Sequence, residues 1–448
     1  MKTHTISILG AGYVGLTTAA LLAHCGYRVF AVEPNPDRLK SIKEGKSFFY
    51  EQGLDAVIKI AIDSGNLIAT DSYEESVTNS EVVFSCVGTP DNPDGSSNLS
   101  YVYGAVEESL KYMPDNSIYI QKSTVPVGTG RNVEEIIKKS GKNISYVSNP
   151  EFLRESTALF DTLYFDRVVV GGDNKDSVDT VLDIYKNLES NRDKITKISN
   201  IEQGQDDGKY ISTSLNSAEL TKVTANAFLA LKISFANSIA VLADKVGADV
   251  NEVMDAVGSD KRIGRAFLNA GRGYGGGCFP KDVSGLISSA DQFGIDLTIM
   301  KAAQDLNTSM PKYVIDKLES TVGNLSTKRV CVLGLAFKAG TSDVRKSPGI
   351  KLANLLVKNA GTVKAFDPKA MDEAKEHLSS EIKLSKSIPE AINDSDIVII
   401  ATEWKEFLSI NASEFMKGNK DRVIVDAVNS LDDITLKKAG IKYIGIGR

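Results

Sequence analysis

Short runs of β-branched and other apolar residues recur along the first 200 residues, each bounded by glycine, proline or acidic residues. The runs are TISIL, RVFAVE, EVVFSCVG, SIYIQ and RVVVG, and segments with the apolar spacing of helices lie between several of them. Alternating strand and helix patterns are typical of βαβ units. The pattern therefore predicts a doubly wound parallel sheet up to about residue 200.

A second series of strands begins near Lys328. Between the two series, the polar stretch NIEQGQDDGKYISTS leads into a helical region that begins near Asn216. The later runs are RVCVLGLAF, TVKAFDP, DIVIIAT and RVIVDAV, and DSDIVIIATEW repeats the pattern of NSEVVFSCVGTP. We therefore predict an α/β protein with two Rossmann-like doubly wound domains joined by a helical middle domain with a long central helix. The predicted domain boundaries are 1–205, 206–315 and 316–448, and the cleft between the two α/β domains is the expected ligand site.

The composition excludes several classes of protein. A chain of 448 residues is too long for one ordinary core, and 52 basic against 58 acidic residues, net −6, provide no basic surface for nucleic acid or an anionic membrane. The most apolar stretch, AFLALKISFANSIAVLA, is interrupted by Lys232 and Asn237, which favours a buried helix over a membrane span. MKTHTISILG lacks the regions of a signal peptide, and four dispersed cysteines without a CxxC pair predict neither a disulfide framework nor a metal site. A cytoplasmic protein is expected.

The first chemical motif is GAGYVG, residues 10–15, between a predicted strand and a predicted helix. Gly10 permits a tight turn, Gly12 lets the backbone approach a pyrophosphate, and Gly15 allows close packing of the helix. Glu33 ends the next strand, where a carboxylate binds a ribose 2′-hydroxyl and repels a 2′-phosphate. The motif favours NAD, while FAD fits the glycines equally well and Arg38 keeps NADP open.

A second constellation lies on the predicted middle helix. Lys222 and Asn226 are four residues apart and so share one helical face. The apolar neighbours Val223, Phe228 and Leu229 suggest that much of the helix is buried. A buried Lys and Asn need a partner, and a bound anion or oxyanion would supply one. A solvated polar stripe is the alternative.

The third motif is GYGGGCFPKD, residues 273–282, with Cys278 at its centre. A lone cysteine is usually an inert small apolar residue. Here three glycines give backbone access, and Lys281 and Asp282 place charges within one helical turn. The three histidines, His4, His24 and His377, lie outside all these motifs, which argues against a Cys/His protease. A thiol in a dehydrogenase instead allows an aldehyde to be trapped as a thiohemiacetal, oxidised to a thioester and hydrolysed to an acid.

Together these motifs resemble the UDP-glucose 6-dehydrogenases of the UDP-glucose/GDP-mannose dehydrogenase family. GAGYVG, CVGTP, KSTVPVGT, NPEFLRES, the Lys222/Asn226 helix, GGGCFPKD, GLAFKAGTSDVRKSP and TEW occur in the family's order over nearly the whole chain. The sequence departs from the family's pattern at Ser156, where glycine is frequent, and at Phe48, where proline is usual. The string NPEFLRESTA is also similar to GDP-mannose dehydrogenases.

The resemblance implies a role for each matching residue. The implied catalytic residues are Cys278 as covalent nucleophile, Lys222 and Asn226 around the reacting oxygen and a water, Asp282 positioning that water, and Glu151 and Thr124 in proton transfer or thioester hydrolysis. The implied cofactor contacts are Gly10, Gly12, Tyr13, Val14, Gly15, Glu33, Arg38, Thr89, Thr124, Glu155, Lys281 and Arg345. The implied substrate contacts are Glu151, Phe152, Leu153, Arg154, Glu155, Lys222, Asn226, Arg262, Phe267, Leu268, Asn269, Ala270, Gly271, Gly275, Phe337 and Lys338.

The implied activity is the NAD-dependent, four-electron oxidation of UDP-glucose to UDP-glucuronate, in a homodimer formed through the middle helices. Arg262 would reach the sugar of the neighbouring subunit. The first domain would bind NAD and the last one the UDP-sugar. The alternatives are a GDP-mannose or UDP-N-acetylhexosamine 6-dehydrogenase with the same chemistry, and a noncatalytic nucleotide-sugar sensor.

Overall fold

The structure is a computed structural model that describes residues 4–205 and 207–448. Contacts within the chain divide it into two compact units, the first ending at Ala225 and the second running over Asn226–Arg448. The predicted three-domain boundaries stay a prediction beside this division.

The first unit is built on an eight-stranded sheet with the strand order β3-β2-β1-β4-β5-β6-β7-β8. Its strands are β1 (Thr5–Leu9), β2 (Arg28–Val32), β3 (Leu67–Thr70), β4 (Val82–Ser85), β5 (Ile118–Gln121), β6 (Ser145–Ser148), β7 (Arg167–Gly171) and β8 (Lys209–Thr213). Neighbouring strands are parallel except β6 and β7, which pair antiparallel through Ser148 and Gly171. The sheet is therefore mixed, which differs from the wholly parallel sheet that the pattern predicts.

Helices cover both faces of this sheet. They are α1 (Tyr13–His24), α2 (Pro36–Lys43), α3 (Leu54–Asp63), α4 (Tyr73–Val77), α5 (Ser100–Tyr112), α6 (Thr129–Ser140), α7 (Ala158–Leu163) and α8 (Lys175–Ser199). Successive strand residues point to opposite faces, so Val82 and Phe84 join one core cluster and Val83 joins the other. This two-sided core confirms the doubly wound arrangement.

The second unit contains a six-stranded, wholly parallel sheet with the order β11-β10-β9-β12-β13-β14. Its strands are β9 (Arg329–Leu333), β10 (Thr362–Phe366), β11 (Lys383–Leu384), β12 (Ile397–Ile400), β13 (Val423–Asp426) and β14 (Lys442–Gly445). Its helices are α10 (Val250–Gly258), α11 (Phe279–Gln292), α12 (Thr298–Val322), α13 (Pro348–Val357), α14 (Met371–Ala374), α15 (Ile388–Ile392), α16 (Lys405–Leu408), α17 (Ala412–Met416) and α18 (Asp433–Lys438), with a 3₁₀ turn at Lys375–His377.

The 32-residue helix α9 (Leu215–Val246) passes from the first unit into the second. It is long and apolar enough to span a membrane by length and composition alone, a test that core helices also pass, and 39% of its most apolar window is buried. The expectation that this helix is mostly buried is wrong on one side. Phe228 is 59% exposed, because a helix in contact with protein on one side leaves its other side open.

Every strand that the apolar runs predict is present, but five strands were not predicted. These are β3, β6, β8, β11 and β14. Strand β8 lies within the polar stretch NIEQGQDDGKYISTS, which the sequence pattern predicts to be a connection between the first sheet and the middle helices. It lies at the edge of the sheet with no fully buried residue, so its sequence KYIST lacks an apolar signal.

Candidate active site

The glycine turn after β1 has the geometry of a phosphate-binding loop. Gly10 has φ +85°, and a Cβ on Gly15 would lie 2.0 Å from the Gly10 carbonyl oxygen, so each position requires glycine. Gly12 is the N-cap of α1 and offers no side-chain cap. Apart from its two chain neighbours, no described residue has an atom within 4 Å of where a Cβ on Gly12 would be. The free amides of the helix N-terminus and this open space fit the pyrophosphate of a dinucleotide.

Glu33 directly follows β2 and is 4% exposed. Its Oε1 accepts a hydrogen bond from the Asn35 amide at 3.0 Å, and Asn35 in turn caps α2. The guanidinium of Arg38 lies 4.7 Å from the centre of the Phe48 ring. A carboxylate at this strand end favours a free ribose 2′-hydroxyl, so the site fits NAD.

The Tyr13 hydroxyl connects α1 to two loops. It lies 2.9 Å from the Glu51 carboxylate and 3.0 Å from the Tyr50 carbonyl, and either oxygen can accept a hydrogen bond from it. The hydroxyl oxygen in turn accepts a hydrogen bond from the Ser156 amide at 2.7 Å. Burial raises the pKa of Tyr13 above its ordinary value, which keeps the phenol protonated. Glu51 also accepts the Leu159 amide at 3.0 Å. The Ser156 hydrogen bond connects the end of NPEFLRES to the cofactor helix, and Glu51, to which the sequence analysis gave no role, connects the start of α7 to the same hydroxyl.

Glu151 and Lys222 form a buried ion pair at 3.0 Å, with side chains 9% and 4% exposed. The other Glu151 oxygen accepts the Leu153 amide at 2.6 Å, and Lys222 Nζ lies 5.5 Å from the centre of the Phe152 ring. The structure thus places the NPEFLRES segment at the first turns of α9.

Glu219 lies one turn before Lys222 and was not predicted. Its two oxygens accept the amides of Gly128 and Gly130, each at 2.7 Å, at the start of α6. This contact fastens the motif STVPVGT, which carries the half-buried Thr124, to the same helix as Lys222. Burial raises the pKa of Glu219 to about 7. A glutamate three residues before Lys222 on the same face was the available signal.

Lys122 is a second buried residue that the sequence analysis missed. It is 4% exposed and donates to the Tyr185 hydroxyl at 2.7 Å, and that hydroxyl donates to Asn149 Oδ1 at 2.7 Å. Asn149 precedes Pro150 and Glu151 in the chain. Lys122 and Tyr185 therefore fix the start of the segment that carries Glu151.

In the second unit, Cys278 is the N-cap residue of α11. Of the four cysteines, all of which the structure describes, only Cys278 is exposed. Burial raises the pKa of each of the other three, Cys25, Cys86 and Cys331, to about 12. The positive end of a helix dipole stabilises a thiolate, so Cys278 is the cysteine suited to nucleophilic attack.

Asp282 lies one turn after Cys278, and its amide donates to the Cys278 carbonyl at 2.8 Å. The carboxylate is 2% exposed and accepts from Asn226 Nδ2 at 2.6 Å and from Lys281 Nζ at 2.7 Å. Lys222 and Asn226 are both buried, which excludes the solvated stripe. Each of them has a carboxylate partner, Glu151 and Asp282 respectively.

The three glycines before Cys278 have a different role from the one expected. A Cβ on Gly275 would lie 2.4 Å from the Lys346 carbonyl oxygen, and a Cβ on Gly276 would lie 2.7 Å from the Phe337 ring. A Cβ on Gly277 would lie 2.3 Å from Arg345 Cζ. These glycines leave room for the loop after β9, rather than giving access to the backbone. The fit is strictest at Gly275, which faces backbone, and least strict at Gly277, whose neighbour is the end of the flexible Arg345 side chain.

The remaining predicted residues of the second unit lie near the same loop or at the surface. Arg345 pairs with Asp343 at 2.6 Å, and Lys338 Nζ lies 5.7 Å from the centre of the Phe337 ring. The Gly271 amide donates to Asn237 Oδ1 at 2.7 Å, which anchors segment 267–271 to α9. The Arg262 side chain is 89% exposed and pairs with Asp260 at 2.5 Å.

The predicted site residues are divided between the two units. The first unit contains Gly10, Gly12, Tyr13, Val14, Gly15, Glu33, Arg38, Thr89, Thr124, Glu151, Phe152, Leu153, Arg154, Glu155 and Lys222. The second contains Asn226, Arg262, Phe267, Leu268, Asn269, Ala270, Gly271, Gly275, Cys278, Lys281, Asp282, Phe337, Lys338 and Arg345.

Comparison of the sequence with models of protein families shows to which family the chain belongs. Three models of one family match, described as the NAD binding domain over residues 4–189, the central domain over 216–309 and the UDP binding domain over 331–433. The chain belongs to the UDP-glucose/GDP-mannose dehydrogenase family. It is therefore an NAD-dependent dehydrogenase, and GAGYVG lies in the family's NAD binding domain.

Individual members of the family are similar over their whole length. The UDP-glucose 6-dehydrogenase of Rickettsia prowazekii (strain Madrid E) is 38% identical over 444 residues, 99% of each chain. A UDP-glucose dehydrogenase structure from Pyrobaculum islandicum has a TM-score of 0.89 at 35% identity, covering 100% of this chain and 98% of the other. A UDP-D-ManNAc dehydrogenase structure from Pyrococcus horikoshii has a TM-score of 0.85 at 26% identity, covering 99% of both.

Proposed function

We propose that the protein oxidises UDP-glucose to UDP-glucuronate, with two NAD and one water consumed per sugar. The observation that carries the proposal is Cys278, an exposed thiol at a helix N-terminus, one turn from the Asp282–Asn226 pair. The choice of UDP-glucose is supported by full-length relatives with that activity in their names. The thiol accounts for oxidation beyond the aldehyde.

The cofactor residues are those of the glycine turn, with Glu33 at the ribose. NAD supplies a hydride acceptor for each of the two oxidations when it is bound. In the first oxidation the C6 hydroxyl of the sugar loses a proton and the C6 carbon loses a hydride, which leaves an aldehyde. We assign Lys222 and Asn226 to the reacting oxygen, because an ammonium and an amide N–H both stabilise developing negative charge.

In the next step the Cys278 thiolate adds to the aldehyde carbon and forms a thiohemiacetal. Loss of the second hydride from that carbon leaves a thioester. A water molecule, positioned by Asp282, adds to the thioester carbonyl, and the C–S bond breaks to release the acid and the thiolate. Glu151 and Thr124 are proposed to assist proton transfer, and the ion pair with Lys222 holds Glu151 in place.

A panel of nucleotide sugars tests the substrate. With UDP-glucose, GDP-mannose, UDP-N-acetylglucosamine and UDP-N-acetylmannosamine each limiting, we expect two NADH per UDP-glucose and little reaction with the others. Absorbance at 340 nm counts the NADH, and mass spectrometry identifies the acid. Two NADH from another sugar would assign a sister activity of the family. No NADH from any sugar, although the protein binds nucleotide sugars, would favour a noncatalytic sensor.

A homodimer through α9 is part of the proposal. The exposed side of this helix carries an apolar stripe, Leu220, Phe228, Phe235, Leu242 and Val246, each between 45% and 67% exposed. Apolar residues at helical spacing over such a length mark a protein contact surface. The strongly exposed Arg262 fits a contribution to the partner's sugar site.

The double variant Phe235→Glu/Leu242→Glu is therefore expected to be a monomer, because two buried carboxylates would oppose association. Light scattering after size exclusion would measure the mass. The control Ile434→Glu, at an apolar residue of α18 that is 61% exposed, should keep the parent's mass. A monomeric parent, or a dimeric double variant, contradicts the proposed interface.

The three predicted domains and a cytoplasmic location complete the proposal. The family matches at 4–189, 216–309 and 331–433 each lie inside one of the predicted domains 1–205, 206–315 and 316–448. Four cysteines, none of them in a described disulfide, and the use of NAD suit a reducing compartment.

A further inference from the structure

The two sheets of the protein repeat one local arrangement, which their strand registers make comparable residue by residue. Leu9 of β1 pairs with Val32 of β2, and Leu333 of β9 pairs with Phe366 of β10. The next residue in each case is a glycine with positive φ, 85° for Gly10 and 114° for Gly334. Gly10 donates its amide to Val32 O at 3.0 Å, and Gly334 donates to Phe366 O at 2.9 Å. Gly334 is thus the counterpart of Gly10.

The helix that follows packs against this glycine in the same way in both units. A Cβ on Gly15 of α1 would lie 2.0 Å from Gly10 O, and a Cβ on Gly349 of α13 would lie 2.5 Å from Gly334 O. Gly15 follows Gly10 by five residues, whereas Gly349 follows Gly334 by fifteen. The second unit therefore keeps the glycine–helix contact of a dinucleotide fold but inserts a longer loop, which contains Phe337, Lys338 and Arg345.

The carboxylates after the second strand of each pair are equivalent in position but differ in their contacts. Glu33 accepts the Asn35 amide. Its counterpart Asp367 is 1% exposed, and Oδ2 accepts the amides of Leu335 at 2.8 Å and Ala336 at 3.0 Å. Those two residues correspond to Ala11 and Gly12, whose turn receives a pyrophosphate in a Rossmann fold. In the second unit a side chain of the protein fills this amide cradle with negative charge.

The motif TEW, residues 402–404, contributes further contacts to Asp367 and to the loop whose amides Asp367 accepts. Trp404 donates its indole N–H to Asp367 Oδ2 at 3.1 Å and is 6% exposed. Thr402 donates to the Ala336 carbonyl at 2.8 Å, and Glu403 accepts the Ala339 amide at 3.4 Å. By the register of β12 with β9, Trp404 corresponds to Thr89 of the first unit. The first unit thus has a threonine, a much smaller side chain, at the position where the second has the tryptophan that binds Asp367.

A buried arginine adds to the same network. Arg272 is 4% exposed and donates to the Phe337 carbonyl at 2.9 Å and to the Ala401 carbonyl. Burial lowers the pKa of Arg272 from its ordinary value, and the carboxylates of Glu403 and Asp367 oppose that shift. The guanidinium thus offsets part of the buried negative charge and holds the backbone of the loop at Phe337.

We propose that Asp367 and Trp404 are specificity-determining positioning residues. They close the second unit to a dinucleotide by occupying its phosphate cradle, and they fix loop 334–340 so that Phe337 and Lys338 bind the nucleotide of the sugar substrate. This inference rests on the proposed function for the identity of that nucleotide.

Two variants test the proposal. Asp367→Asn keeps the shape but cannot accept all the amides that the carboxylate accepts, and Trp404→Phe keeps an aromatic ring but removes the indole donor together with part of the buried ring. We expect Asp367→Asn to raise the Kd of UDP by about tenfold to a hundredfold, the range for loss of a charged hydrogen bond. The effect of Trp404→Phe should be smaller, about threefold to tenfold. The Kd of NAD should stay within about twofold of the parent value in both.

Titration calorimetry with UDP and with NAD makes the comparison. Asp372→Asn, at an exposed residue of α14, is the matched control and should bind both ligands as the parent does. Glu33→Gln, at the position equivalent to Asp367, should show the reciprocal pattern, with NAD weakened and UDP unaffected. A general loss of structure would weaken both ligands together and lower the melting temperature.

UDP affinities within twofold of the parent in both variants would overturn the positioning role. Two NAD sites per chain in the parent would overturn the exclusion of dinucleotides. These outcomes are separate from the proposed function, because NADH counting on UDP-glucose is independent of them. If Asp367→Asn does not fold, the milder Trp404→Phe decides the question alone.

Discussion

Replacing Cys278 with serine is expected to abolish formation of the sugar acid, with the rate of NADH production falling by about a thousandfold or more. A serine hydroxyl beside the same helix N-terminus stays protonated at neutral pH, whereas a thiol ionises readily. Without the thiohemiacetal, the second oxidation has no sulfur-bound carbon from which a hydride can be removed. At most one NADH per sugar should appear, and only at the aldehyde stage.

Rapid-quench mass spectrometry of the variant and the parent would measure this. The parent should show a mass adduct on the peptide that contains Cys278. Cys25→Ser is the matched control, since burial raises the pKa of Cys25 to about 12 and its thiol donates to the Leu21 carbonyl. Iodoacetamide should label Cys278 and leave Cys25 unmodified. Undiminished acid formation by Cys278→Ser would refute the nucleophile assignment.

The second large effect is expected for Lys222→Met. This change removes the ammonium and leaves Glu151 as a buried carboxylate without its ion-pair partner, since both side chains are less than 10% exposed. Removing one member of a buried pair destabilises by about 3–5 kcal/mol, and losing a donor to a developing oxyanion lowers kcat by about a hundredfold to a thousandfold. Lys222→Met should therefore lower both the melting temperature and kcat.

The double variant Lys222→Met/Glu151→Gln separates these two effects. It removes the unpaired charge, so most of the stability should return while kcat stays low. Thermal melts and steady-state kinetics give the two readouts, with Lys245→Met, an exposed lysine of the same helix, as the control. If the double variant recovers kcat along with stability, Lys222 acts only through folding.

The parts of the molecule that local chemistry specifies could be predicted from the sequence. The turn at Gly10–Gly15 needs particular residues at particular spacings, and the buried strands are recognisable by their apolar runs. Edge strands were missed, because an edge strand such as β8 has little apolar burial to reveal it. Strands β7 and β8 run parallel to each other but antiparallel to the rest of their sheet. This direction likewise could not be predicted, because it depends on how strands distant in the sequence pair.

The candidate site was predictable as residues but not as pairs. Motifs identify Asn226 and Asp282, yet their hydrogen bond joins positions 56 residues apart, and nothing local indicates it. Glu219 shows the same limit, since its contact with Gly128 spans 91 residues. Such contacts depend on the tertiary fold, and one helix, α9, gathers several of them.

The packing of the three glycines before Cys278 restricts which substitutions this part of the sequence can tolerate during evolution. Their missing side chains are replaced by the Lys346 carbonyl, the Phe337 ring and the Arg345 guanidinium. A larger residue at 276 therefore requires a change at Phe337, and one at 277 requires the Arg345 side chain to move aside. Substitutions in the segment before Cys278 therefore depend on substitutions in a loop about 60 to 70 residues later in the sequence. A homologue that changes its nucleotide preference through substitutions in that loop must therefore preserve the packing of residues 275–277, which positions Cys278.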